Sequence, residues 1–117
     1  MEDITLNGLS ELEYHVLLAL TDGPLYGYAL LQAVRAESQG EVNPRAGSLY
    51  RVLARLMSWG FVVETDPHDG DREAHPGLER RYYAITKEGL RAVRAQARRF
   101  RRAAELADRR LGLDGVE

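Results

Sequence analysis

Three groups of side chains in this sequence have types and spacing that bear on chemistry. His68, Asp69, Asp71 and His75 bring nitrogen and oxygen donors together within eight residues, the donor set of a zinc or manganese site. Such a site needs its ligands held by a second layer of partners, whereas this stretch carries Pro67, Asp69-Gly70 and Pro76, the residues of a solvated turn. No metal is expected there. His15 has no serine or carboxylate partner at a catalytic spacing, and the chain has no cysteine, which removes thiol nucleophiles, disulfides and cysteine-based metal centres. No phosphate loop or paired-carboxylate motif appears either, so neither an enzyme nor a cofactor is expected. The third group is cationic. Arg45, Arg51 and Arg55, with Ser48 and Tyr50 among them, lie in a window from Val42 to Val63 that holds no acid, in a chain with 18 acidic residues. Unneutralised guanidinium groups suit phosphate and guanine recognition.

Those arginines need an element to present them. The stretch Ala46 to Trp59 has Leu49, Val52, Leu53, Leu56 and Met57 on one helical stripe and Ser48, Arg51, Arg55 and Ser58 on the opposite one. It predicts an amphipathic helix with an apolar back and a cationic front. Two helices precede it. Ser10-Glu11-Leu12-Glu13 is a capping box, with Leu9 and Tyr14 placed as a hydrophobic staple, and Leu12, Val16, Leu17 and Leu20 continue one face as far as Asp22-Gly23-Pro24. Tyr26 to Glu37, apolar at Leu30, Leu31 and Val34, forms the second helix and ends near Gly40. After the third helix, Phe61 to Thr65 and Arg80 to Ile85 read as the strands of a hairpin with a long polar tip. From Thr86, an N-cap residue type, a last helix runs to about Leu111, roughly 40 Å at ~1.5 Å per residue. Its residues Leu90, Val93, Ala97, Phe100, Ala104, Ala107 and Leu111 alternate in steps of three and four, the seam of a coiled coil.

With 117 residues, 44% of them hydrophobic, the chain has room for about one globular domain. Its longest apolar run, Val16 to Leu20, is far short of the ~18 residues that span a bilayer, and no signal peptide opens it, so a cytoplasmic protein with no membrane partner is expected. The net charge of −2 conceals an asymmetry: residues 1–79 hold 5 arginines and 13 acids, residues 80–110 hold 11 basic residues and 3 acids. Clustered cations suggest a polyanion or an acidic partner surface. On the last helix, however, they flank the seam and are read mainly as partners of acids elsewhere in the chain.

Three short helices followed by a hairpin give the order of a winged helix-turn-helix, whose third helix enters the DNA major groove. The fold class expected is thus mostly α with a small β-hairpin. Residues 1–85 form the winged helix-turn-helix, and residues 86–117 form a C-terminal dimerisation helix of the same compact unit.

Three blocks in order also resemble the PadR-like family of transcriptional regulators, over Leu9 to about Leu106. Leu25-Tyr26-Gly27-Tyr28-Ala29-Leu30 is similar to the start of the family's second helix. Ala46-Gly47-Ser48-Leu49-Tyr50, with Leu53 and Arg55-Leu56, is similar to its recognition helix, and Arg80 to Gly89 to its wing strand and the first turn of its dimerisation helix. The resemblance implies a dimeric bacterial repressor or autoregulator whose DNA binding is relieved by small, often aromatic or lipophilic molecules, or by other cellular signals. The chain departs from the family pattern at Arg51, where proline is common, at Met57 and Trp59, where acids are usual, and at Leu78-Glu79, which replace a basic residue and a proline.

The expected partner is therefore double-stranded operator DNA, contacted by Arg45, Ser48, Tyr50, Arg51 and Arg55, and by Arg80 and Arg81 of the wing strand. A second copy of the chain is expected along the seam from Leu90 to Leu111. A small apolar or aromatic effector is expected between subunits, lined by Tyr14, Leu17, Ala97 and Phe100. Trp59 is expected to close a core edge rather than to stack on a ligand. The competing reading is a winged-helix protein-interaction module without DNA readout, since the acidic first 79 residues are awkward for approaching DNA.

Overall fold

The computed structural model describes residues 8–65 and 81–113. Helix α1 spans Glu11–Ala19 and opens on the capping box: the Glu13 amide donates to Ser10 Oγ at 3.1 Å and the Ser10 amide donates to Glu13 Oε1 at 2.8 Å. A 3-10 turn, Leu20–Asp22, ends it, and Gly23, at φ 141°, leaves the helical direction ahead of Pro24. Strand β1 is only Leu25–Tyr26, and helix α2 follows at once as Gly27–Glu37. Helix α3 covers Ala46–Ser58, β2 Val62–Thr65, β3 Tyr82–Ile85, and α4 Lys87–Leu111.

The sheet adds to the expected hairpin. β2 and β3 pair antiparallel with Val62 opposite Ile85, but β3 also pairs on its other edge with β1, Leu25 opposite Tyr83, giving the order β1-β3-β2. Two residues between a proline and a helix start carry no period-2 signal, which is why this strand is invisible in the sequence. Its effect is to tie the α1–α2 connection to the wing.

The core is built from the apolar stripes of all four helices and one face of the sheet. Val16, Leu17 and Leu20 of the first helical segment meet Leu30 and Val34 of α2, Leu49, Leu53 and Leu56 of α3, Val62 and Tyr83 of the sheet, and Val93 of α4. Each such side chain contributes on the order of 1.5–3 kcal/mol by leaving water. Trp59 caps α3 and packs at the edge of this core, its ring tilted against Phe61 at 6.0 Å.

α4 is locked onto the rest at its first turn. Thr86 is its N-cap and accepts from the Gly89 amide at 3.0 Å, while the Thr86 hydroxyl donates to the Gly60 carbonyl at 2.7 Å and its amide to the Phe61 carbonyl at 3.0 Å. A Cβ on Gly89 would stand 2.3 Å from the Phe61 carbonyl oxygen, so only glycine allows this approach. The start of α4 is therefore clasped to the exit of α3. Beyond Gln96 the helix runs out along its own axis, with Phe100 46% and Leu111 67% exposed.

Candidate nucleic-acid interface

Because Leu49, Val52, Leu53 and Leu56 are buried, α3 must turn its other side outward. The centre of that outward side is Gly47, Arg51, Ala54 and Ser58, all exposed, with Tyr50 on one flank and Arg55 on the other. Two of the four central residues are nearly bare of side chain, so the helix backbone can come close to a surface. The sequence reading centred the stripe on Ser48, Arg51, Arg55 and Ser58. Ser48 is half-buried, and its hydroxyl takes a hydrogen bond from Arg51 Nη2 at 3.3 Å.

Each expected contact residue has a definite setting. Arg45 is the exposed N-cap of α3, and no side chain caps that helix, which leaves its first-turn amides without a side-chain acceptor. Tyr50 is 48% exposed, with its hydroxyl against the start of α2. A Cβ on Gly27 would lie 2.1 Å from that oxygen, so the glycine of the Gly27-Tyr28 pair makes the space Tyr50 occupies. Arg55 is held by Glu13 of α1, with Nε donating to Oε2 at 2.9 Å, and its guanidinium lies 6.0 Å from the Trp59 ring centroid. On the wing, Arg81 pairs with Glu64 of the neighbouring strand at 3.3 Å. Burial, then the Glu64 and Tyr50 charges, push the Tyr83 hydroxyl above its usual pKa, while Arg81 pulls the other way. Arg80 lies outside the described residues, as do His68, Asp69, Asp71 and His75. No cluster of metal-ligating side chains occurs among the described residues, and no described helix is long and apolar enough to cross a membrane.

Sequence reasoning missed the Glu13–Arg55 link and the exposed Tyr28 on the first turn of α2. The first joins residues 42 positions apart and has no local signal. Tyr28 had one: it sits in the same block as Gly27 at a helix start.

The expected seam of α4 divides. Val93 is buried in the protomer core, Leu90, Ala97 and Ala107 are half-buried, and Phe100, Ala104 and Leu111 are exposed. Phe100 packs edge-on against Tyr14 at 4.9 Å. Of the residues expected around an effector, Tyr14, Ala97 and Phe100 keep accessible surface, whereas Leu17 has none and is a core residue. The other side of α4 carries a second apolar strip, where Leu9, Phe61, Ala92 and Ala95 line a groove of about 380 Å³ rimmed by Arg91 and Arg99. His15 stacks edge-on to Tyr14 at 5.6 Å, and its Nδ1 is buried without a hydrogen bond from the described residues.

The comparisons with known proteins bear on the fold and the family. One stretch of 47 residues is 49% identical to an uncharacterised 37.1 kDa protein of transposon TN4556 from Streptomyces fradiae, covering 40% of this chain but only 13% of that protein. A PadR family transcription regulator from Clostridium difficile has the same fold, with TM-score 0.69 and 20% identity over 86% of this chain and 97% of that one. Bacillus subtilis PadR, solved in complex with operator DNA, superposes with TM-score 0.60 and 24% identity over 72% of this chain and 45% of its own. The profile of the transcriptional regulator PadR-like family matches residues 16–95, from within α1 through the buried turns of α4. With well over half of its length matched, the chain belongs to the PadR-like family, and it is a transcriptional regulator with a winged-helix fold rather than an enzyme.

Proposed function

We propose that the protein is a homodimeric, sequence-specific DNA-binding repressor, and that a small-molecule or other cellular signal relieves it. The observation that carries the reading is the two-sidedness of α3. Its leucines are fixed in the core, so Gly47, Arg51, Ala54 and Ser58 face outward, and a groove about 12 Å wide accepts one such helix. Arg45 and the uncapped amides of the first turn suit one phosphate, and the Tyr50 hydroxyl suits another. Arg80 and Arg81 would follow the backbone beside the groove. The relative with operator DNA supports the same use of the fold.

The dimer is carried by the free half of α4. Phe100, Ala104, Ala107 and Leu111 would close on a second copy, with Leu90 and Ala97 extending the contact and Val93 supporting it from within the protomer. An effector would fit beside Tyr14, Ala97 and Phe100, where small seam residues leave room between subunits, and would act by changing the spacing of the two recognition helices.

The test is binding to a duplex from the protein's own promoter, followed by fluorescence anisotropy with Arg51→Ala and Arg55→Ala. Weaker operator binding by folded variants is the expected result. Unchanged affinity in both would contradict the assignment of α3.

A further inference from the structure

We propose that Glu13, which belongs to α1 and faces inward, sets the base specificity of the recognition helix by holding Arg55. The inference rests on the DNA-binding reading above and deepens it. Both Glu13 oxygens are used. Oε1 accepts from the Ser10 amide at 2.8 Å, so the carboxylate is fixed by the backbone at the start of α1, and Oε2 accepts from Arg55 Nε at 2.9 Å. The Glu13 side chain is 7% exposed and cannot swing away, whereas that of Arg55 is 47% exposed. Trp59 adds a second neighbour, with its ring centroid 6.0 Å from the guanidinium carbon.

What remains of Arg55 is its outer edge. No described residue hydrogen-bonds its two Nη groups, and that edge presents the paired N–H donors that match O6 and N7 of guanine. Holding the plane matters most for a base, whose O6 and N7 accept in one fixed plane, and less for a phosphate, whose oxygens can be met from many directions. The adjacent carboxylate also cancels most of the charge through which Arg55 would otherwise bind any DNA. Arg51 is the contrast: its hydrogen bond is to the neutral Ser48 hydroxyl, and its charge is uncompensated. The two arginines divide the work, Arg51 attracting the backbone or a base with full charge and Arg55 discriminating with little. Glu13 is thus a positioning residue.

The experiment measures affinity of the full chain for its promoter operator and for a shuffled duplex across a salt series. Glu13→Gln keeps the size of the side chain and its capping function while removing the charge. The variant is expected to bind shuffled DNA more tightly, with a salt slope steeper by about 0.9 per subunit, and to lose about tenfold in operator preference. Adding Arg55→Gln should return the slope to the wild-type value without restoring preference. Arg55→Lys, which leaves the Ser10–Glu13 box untouched, should lower preference with the slope unchanged. A purely structural role for Glu13 would weaken both duplexes equally, and an unchanged operator-to-shuffled ratio in Glu13→Gln and Arg55→Lys overturns the proposal. If the wild-type protein itself shows no operator preference, the DNA-binding reading falls with it; if the wild type discriminates and the variants do so equally well, only this inference falls.

Discussion

Gly27 has no Cβ to place against Tyr50, and that absence couples the start of α2 to the flank of α3. Gly27→Ala should displace the Tyr50 ring, lowering operator affinity and costing about 1–3 kcal/mol of stability through overpacking. Denaturant unfolding together with anisotropy checks both effects. Arg51 is the exposed cation at the centre of the α3 face, and Arg51→Ala should weaken operator binding by about 1–3 kcal/mol with no change in the melting curve. Tyr83 gives a pH signature. Because its hydroxyl holds its proton more tightly in the folded state, its contribution to stability is intact below the ordinary tyrosine value and is lost as pH rises through the raised one. Alkaline unfolding monitored by circular dichroism should therefore be less steep in Tyr83→Phe; equal steepness would show that the Tyr83 proton plays no part.

At the scale of elements, the junction of α3, the sheet and α4 depends on contacts too close for any side chain at position 89. Gly89→Ala is expected to destabilise the fold by about 2 kcal/mol or more, since the atom it meets is backbone and cannot yield cheaply. Thermal melting reads this directly. The helices were legible in the sequence because their signals are local: the Ser10 box, the leucine spacing of α3 and the Thr86 cap all occur where the residues announce them. β1 was not, because two residues become a strand only through β3, more than 50 positions away. The seam of α4 was legible as a periodicity but not as a partition, since spacing cannot say which apolar residues the protomer uses for itself. Val93 turned out to be core and Phe100 half-exposed. The candidate site follows the same division. The cationic face of α3 could be read from its stripe, whereas the hold of Glu13 on Arg55 could not: the capping box already accounted for Glu13 and hid its second oxygen.

For the whole molecule, the central matter is how a chain with net charge −2 approaches a polyanion. The acid-free window from Val42 to Val63 contains the whole of α3, and the arginine-rich α4 adds to the cationic charge of the chain. In a dimer the two recognition helices would meet successive major grooves about 34 Å apart, and the α4 contact would set that distance. Phe100→Asp should then give monomers in sedimentation and a loss of operator binding steeper than any α3 variant, while an intact dimer at micromolar concentration would remove α4 from the interface. By linkage, any effector that weakens operator binding must itself be bound more weakly by the operator complex, by the same factor. The most direct measurement is the salt dependence of binding to the promoter duplex, with a shuffled duplex beside it. The DNA-binding account predicts a logarithmic slope of about −4 or steeper on both, with the operator bound at least about 1,000-fold more tightly. A slope near zero, or equal affinity for the two duplexes, would contradict it.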